Sequence, residues 1–376
     1  MASSDDLSRL AVMFARFAEY EFRASSPRYT LLAETVAGEP ELARPLLAAP
    51  GPQRRAILYF AAVQYLLRTV APGHPLAGYL PTFGGHYPPG PGMVAAFVDF
   101  VTSHAEPLAR ICATRMTQTN EPRRTALLRP AFGRAAEWLG GRSLALVELG
   151  TSAGLLLLPD RYGYRYTGGG HTRRYGRPDA PPALVMDCVV RGDGWPRWLS
   201  DEPAIGARVG IDLSPVGSAD ADGVTWLRSC IWPEHVDRLA RLDAALAEAS
   251  LVSPRLVAGD MLASLPEVLS TVDDVPCVFA SNSLTYLGAR RRSELAHMLA
   301  GVGAERDLVV ALNEAAQCGV HLFTADGPPA SAGLAVATLT VIAWIGGRAT
   351  VEVLAETGPH GEWLRWARHE YRYALG

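Results

Sequence analysis

The chain has 376 residues, 49% of them apolar and 19% charged, enough for two domains or for one large α/β domain with an appendage. Its net charge of −3 gives no electrostatic footing for a nucleic-acid partner. All 35 basic residues are arginine, which excludes a Schiff-base lysine, a pyridoxal-phosphate anchor and a P-loop, because each needs the amine. The opening MASSDDLSRL lacks the basic-then-apolar layout of a signal peptide, and no apolar run reaches spanning length. A cytoplasmic protein with no membrane partner is expected. The five cysteines form no C-x-x-C pair and the nine histidines show no ligand spacing, so reduced thiols and no metal site are expected.

From Asp5 to about residue 140 the pattern is helical. Leu7, Leu10, Phe14, Phe17 and Glu21 follow a three-four spacing that predicts a helix burying an aromatic stripe. Further helices are predicted at 53–69, 92–104, 106–117 and 122–139. Between them runs APGHPLAGYLPTFGGHYPPGPG, too rich in breakers for regular structure. It reads either as a packed surface connection or as a lid carrying His86 and Tyr87. After Gly140 and Gly141 the period changes. Strand-length apolar runs fall at 144–149, 208–213, 255–259, 276–280 and 307–312, with helical segments at 224–249, 264–271 and 289–300 between most of them. Such alternation implies parallel strands joined by right-handed crossovers. LAVATLTVIAWI, then Gly346 and Gly347, then RATVEVLAE predicts an antiparallel hairpin closing the sheet. The irregular stretch 159–205 reads as an insertion with short strands at 162–166 and 184–190, over the sheet edge.

The expected architecture is therefore an α/β fold of the seven-stranded, methyltransferase-type Rossmann class with an N-terminal all-helical domain. The boundary is expected near residue 140, giving a helical cap over 1–140 and a cofactor-binding domain over 141–376. At the end of the first strand, VELGTSAGLL supports two readings. Gly150, Thr151, Ser152, Ala153 and Gly154 match G-x-S-x-G, the elbow that presents a nucleophilic serine. That elbow follows earlier strands, and here everything upstream is helical, so a serine hydrolase with Asp260 and His321 is a remote reading. With Glu148 included, the stretch becomes a glycine-rich turn at the carboxyl edge of a parallel sheet, where ligands bind. Its spacing is not the dinucleotide fingerprint, which sets a pyrophosphate on a helix N-terminus. S-adenosylmethionine, which has no phosphate, fits it.

The ends of the later strands extend that reading. Asp212 is placed to accept from ribose hydroxyls, Asp260 and Met261 to face an adenine, and Asn282 and Ser283 to line the reactive end. Each also has a plain structural role as helix cap or turn former. Asp212 lies 62 residues beyond Gly150, against roughly 20 for an acidic ribose ligand, so the 159–205 insertion has to be an excursion from the sheet.

Several longer stretches carry a resemblance: HPLAGYLPTFGG at 74–85, QTNEPRR at 118–124, VELGTSAGLLLLPDRYGYRY at 147–166, GIDLSPV at 210–216, IWPEHVDRLARL at 231–242, LVAGD at 256–260 and GPHGEWLRW at 358–366. Through them nearly the whole chain resembles a bacterial domain-of-unknown-function family, number 2332, whose members look like S-adenosylmethionine-dependent methyltransferases by fold. QTNEPRR also reads as helix-start chemistry, with Asn120 or Glu121 as cap, Pro122 in the first turn and arginines on a solvated face. Gln118, Asn120 and Glu121 are nevertheless more polar than a cap requires, and are read as facing cofactor or substrate. His360 and Trp363 read as structural, a turn residue and an aromatic packing on the last hairpin.

The expected activity is methyl transfer from S-adenosylmethionine to a small molecule. Glu148, Gly150, Thr151, Ser152, Gly154, Asp212, Asp260, Met261 and Asn282 are the candidate cofactor groups. Gln118, Asn120, Tyr87 and Ser283 are candidates for the substrate, and Glu121, His86, Tyr286 and Glu314 for base or orienting work. Aminocarboxypropyl transfer or cyclisation of the same cofactor, and a non-catalytic ligand-binding protein, are the alternatives. A homodimer is left open.

Overall fold

The computed structural model of the chain describes residues 4–327 and 336–375. Helices α1 (Ser4–Phe17), α2 (Pro27–Gly38), α3 (Ala56–Thr69), α4 (Pro91–Ser103) and α5 (Ala105–Thr114) come first, followed by α6 (Thr125–Leu139) and the first strand, β1 (Leu144–Leu149). Strands β2 (Gly163–Gly168), β3 (His171–Gly176) and β4 (Val185–Arg191) precede β5 (Ile205–Asp212). Then come α7 (Ala221–Ser229), α8 (Val236–Val252), β6 (Arg255–Ala258), α9 (Met261–Ser270), β7 (Val275–Ser281), α10 (Ala289–Glu305) and β8 (Leu308–Glu314). The described chain ends with β9 (Ala337–Ile345), β10 (Arg348–Thr357) and β11 (Trp363–Tyr371). Positions 334 and 335, the expected start of the last hairpin, lie outside the described residues.

Two compact units result, one of Met1–Thr119 with Ala219–Leu242 and one of Asn120–Ser218 with Asp243–Gly376. The first is helical. Its core is an aromatic cluster in which Phe14 meets Tyr59 edge-on at 5.6 Å and Tyr29 stacks on Phe60 at 4.5 Å. Such pairs add about 0.5–1.5 kcal/mol each beyond their buried area. Ser26 caps α2 by accepting from the Tyr29 N–H at 3.2 Å. Helix α7 belongs to this unit. The single helix expected over 224–249 is two, because Pro233 and its neighbours interrupt the ladder between α7 and α8.

The second unit is built on an 11-stranded sheet of order β3-β2-β4-β11-β10-β9-β8-β7-β1-β5-β6. Eleven strands replace the expected seven. The parallel core β6-β5-β1-β7-β8 was legible from alternating apolar runs, and the hairpin β9–β10 follows it in antiparallel register. Of the remaining four strands, β2 and β4 fall on the short strands expected at 162–166 and 184–190, while β3 and β11 carry weak apolar patterns. β11 pairs with β10, and residues 363–365 of β11 pair in parallel with 189–191 of β4. The 159–205 insertion is thus part of the sheet, not an addition over its edge. β1 and β5 remain neighbours across this excursion, which accounts for the long spacing between Gly150 and Asp212.

Helices cover both faces of the sheet. Ala145, Val147 and Leu149 share a core with Leu262 and Leu265 of α9 and Leu295 and Leu299 of α10. Alternation sends Leu144, Leu146 and Glu148 to the opposite face. Helix α6 packs on β8, β9, β10 and β4, and its Phe132 meets Phe279 of β7 edge-on at 5.4 Å. The sequence groups α6 with the helices before it. The compact unit that contains it begins at Asn120, because the apolar surface it buries lies on the sheet.

Candidate functional site at the carboxyl edge of the sheet

After the β2–β4 excursion the chain comes back beside β1 for β5 and moves outward to β6, then crosses to the other side of β1 for β7 and β8. The reversal falls between β1 and β7, a topological switch point of the kind that binds ligands in open α/β sheets. Two non-glycine residues with left-handed backbone flank it, Ser152 (φ 50°) after β1 and Asn282 (φ 56°) after β7. Conformations of this kind cost on the order of 1–3 kcal/mol and cluster at functional loops.

The β1 loop is held from below and from the side. Glu148 is buried and accepts from the Thr151 hydroxyl at 2.6 Å. Burial pushes its carboxyl up to about 8 against the opposing effects of the Thr151 bond and the Arg124 charge. Asp212, at the end of β5, accepts the Ser152 N–H at 2.9 Å on one oxygen and the Ser214 N–H at 2.9 Å on the other. Each oxygen keeps a further lone pair. Leu213 beside it is 64% exposed, an apolar face next to a partly exposed carboxylate. Gly150 (φ 78°) has no room for a side chain, because a Cβ there would lie 2.5 Å from Ser283 Cβ. Past Gly154, also left-handed at φ 70°, the chain makes only a 3-10 turn over Leu155–Leu157 and no α-helix. A nucleophile elbow requires that helix, as does a pyrophosphate site.

The β7 loop is held by β8. Glu314 Oε1 accepts the Ser283 N–H at 2.7 Å and the Leu284 N–H at 3.1 Å, while its buried Oε2 has no partner among the described residues. Burial pushes this carboxyl up to about 7, against the two N–H bonds and the Arg124 and Arg292 charges. The Ser283 hydroxyl donates to Leu149 O at 2.6 Å. Asn282 donates to Pro359 O at 3.2 Å.

Arg124 joins these parts. The sequence places the arginines of QTNEPRR on a solvated face, but Arg124 is buried. Its guanidinium donates to Pro359 O at 2.9 Å and Ser281 O at 3.2 Å. Glu121 caps the turn Pro122–Arg124 by accepting the Arg123 N–H at 3.1 Å. Arg123 donates to His360 O at 3.0 Å. Gly361 (φ 86°) is needed opposite, since a Cβ would sit 2.5 Å from the Arg123 carbonyl oxygen. The QTNEPRR and GPHGEWLRW stretches, 237 residues apart from Arg123 to His360, therefore meet beside the end of β7. No sequence periodicity signals this meeting.

The other candidates lie as follows. Asp260 caps α9, accepting the Leu262 and Ala263 N–H groups at 3.1 Å each, and pairs with Arg291 at 2.5 Å, which holds its carboxyl below the usual range. Met261 is the first residue of α9 and packs against the sheet core. Tyr286 ends a 3-10 turn and is exposed. The Asn120 amide nitrogen is buried without a partner among the described residues. His86, Tyr87 and Gln118 belong to the helical unit. There the half-exposed Tyr87 ring lies over Gly78, and His86 packs beside it at 4.8 Å. The breaker-rich loop holding them forms the 3-10 turns Pro75–Tyr79 and Pro81–Phe83. His360 lies in the turn before β11, and the Trp363 ring carries the Arg191 guanidinium at 4.1 Å.

Residues 11–366 match the model of domain-of-unknown-function family 2332, described as an uncharacterised protein conserved in bacteria. The chain belongs to this family. No curated protein matches this family member. Among the described residues no helix is long and apolar enough to cross a membrane.

Proposed function

We propose that the sheet-bearing unit binds S-adenosylmethionine at the switch point between β1 and β7 and transfers its methyl group to a small molecule in the cytoplasm. The observation that carries this reading is the loop after β1, a left-handed glycine turn without a following α-helix, lying against a carboxylate with free lone pairs. That set suits a nucleoside bearing a vicinal diol and no phosphate. Asp212 would accept from the ribose hydroxyls and the exposed Leu213 would underlie the base. The sulfonium supplies an activated methyl group. The protein's part is to align the acceptor, with a base needed only when that acceptor carries a proton. Glu314, neutral or ionised near neutral pH, suits the base role.

A second reading, ligand binding without turnover, is favoured by one contact. Ser283 Cβ fills the space above Gly150, at the centre of the crevice. Titration calorimetry with S-adenosylmethionine and S-adenosylhomocysteine tests both readings. Binding of either, weakened about 10- to 100-fold in Asp212→Ala, is expected for the loss of one or two hydrogen bonds to a charged group. No binding of either ligand overturns both. Mass spectrometry of a turnover mixture then separates methyl transfer, which leaves S-adenosylhomocysteine, from aminocarboxypropyl transfer, which leaves methylthioadenosine.

A further inference from the structure

Glu314 is buried at the end of β8, one oxygen accepting two backbone N–H groups of the β7 loop and the other without a donor among the described residues. The loop it holds places Ser283 Cβ against Gly150 and the Ser283 hydroxyl on Leu149 O. From this geometry we infer that Glu314 is a latch acid: while protonated it holds residues 282–284 closed over the β1–β7 crevice, and on ionising it releases them.

The physical reason lies in the two oxygens. In the neutral acid, the carbonyl oxygen serves as acceptor for the Ser283 and Leu284 N–H groups, and burying the O–H on the other oxygen costs less than burying a charge there. Ionisation spreads negative charge onto Oε2, where no donor among the described residues meets it, and a buried charge bonded on one oxygen only is disfavoured. Opening the loop admits water to that oxygen. The charged groups facing Glu314 are Arg124 beside the β7 end and Arg292 on α10, both of which favour the anion, and Cys318 lies close by. Burial outweighs the two arginines, so the closed-state carboxyl titrates near 7. A solvated glutamate titrates near ~4.3. The sign follows from linkage: the closed state binds the proton more tightly, so closure is favoured at low pH and lost as pH rises through about 7. Release moves Ser283 off Gly150 and opens the crevice to a ligand from solution.

Hydrogen exchange of the ligand-free protein tests the latch, and its outcome is independent of whether S-adenosylmethionine binds. The Ser283 and Leu284 amides, corrected for intrinsic rates, are expected to lose protection by up to about tenfold for each pH unit between the pKa of a solvated glutamate and the closed-state midpoint, and to level off above it. In Glu314→Gln the amide oxygen still accepts both N–H groups but cannot ionise, so protection at these amides stays level across the same range. Wild-type protection that is level with pH, or a Glu314→Gln profile parallel to wild type, overturns the proposal. If the variant fails to fold, carboxyl-carbon NMR of wild-type Glu314 decides: a midpoint near 7 supports the latch, and an ordinary carboxylate midpoint overturns it.

Discussion

Glu352 on β10 and Glu148 on β1 lie in the same sheet, point toward the same face and are both buried, yet their carboxyls move in opposite directions. Glu352 is gripped twice. Arg134 donates to its two oxygens at 2.7 and 3.2 Å and Arg368 at 2.9 and 3.1 Å. Burial works to raise its pKa, but these four bonds win and hold it below the usual range. Glu148 has one hydroxyl donor, and burial wins. The difference separates two uses of a buried acid. Around Glu352 the side chains close on each other: Arg134 lies between the Trp138 and Trp198 rings at 4.2 and 4.8 Å, and Arg368 over Trp198 at 5.7 Å. That cluster ties α6 to β10 and β11. At the carboxyl edge, Glu148 and Glu314 share the influence of one buried guanidinium, Arg124, that bonds backbone carbonyls instead of either acid. Protons there are poised near neutrality.

Three measurements break or sharpen this contrast. Glu352→Gln strands two arginines, and denaturant unfolding is expected to show a loss of about 3–5 kcal/mol, the cost of breaking a buried ion pair. In the wild type this contribution is present above the ordinary glutamate pKa and is lost as pH falls through the lowered folded-state value, so the variant should also be less sensitive to acid. A Glu352→Gln protein as stable as wild type would remove the distinction.

Glu148→Gln is expected to act in the reverse sense. The wild-type acid contributes stability that is full below the unfolded pKa and is lost as pH rises to about 8. Thermal melts above pH 8 should therefore show the variant raised by several degrees, at about 2–4 °C for each kcal/mol recovered. A variant less stable than wild type at high pH would mean that the carboxylate is stabilised by contacts other than Thr151. The smallest effect is expected for Arg165→Ala. Its bidentate pair with Asp187 on β2 and β4 is about half exposed, and exposed pairs contribute only about 0–1 kcal/mol. A larger loss would show that the insertion depends on this pair.

Much of the fold was legible because apolar period encodes it. The runs behind β1, β7 and β8 are buried on both faces, those behind β5 and β6 are apolar runs toward the sheet's edge, and the Gly346–Gly347 turn, with φ of 57° and 77°, announces the β9–β10 hairpin. The same signal stands at Gly169 and Gly170, with φ of 54° and 76°, joining β2 to β3. It was passed over because HTRRYG offers no apolar residues to read as a strand: His171, Thr172, Arg173 and Arg174 are all exposed on the sheet's edge. Polar side chains on an edge discourage pairing with other chains, so the property that protects the strand also conceals it. β11 was missed for a related reason. WLRWARHEY is half polar because one side of it meets β4 over three residues only.

The candidate site divides similarly. Glu148, Gly150, Asp212, Asn282, Ser283 and Glu314 could be singled out because each stands where a strand ends, and strand ends are visible as the limits of apolar runs. Arg124 and the Gly358–Gly361 turn could not be linked to them from the sequence, since a contact across more than 200 residues leaves no local trace. Leu213 went unremarked because an exposed leucine is common and acquires meaning only beside Asp212.

By itself, then, the sequence determined the alternation of helix and strand, the glycine turn after β1 and the absence of any lysine chemistry. These depend on local backbone preference and on the period with which apolar side chains must be hidden. The tertiary structure decided that the insertion extends the sheet, that Arg124 is buried where its charge acts on Glu148 and Glu314, and which acid receives partners. Those outcomes follow from which distant segments meet: desolvation raises Glu148 and Glu314, while the two arginines brought to Glu352 overcome it.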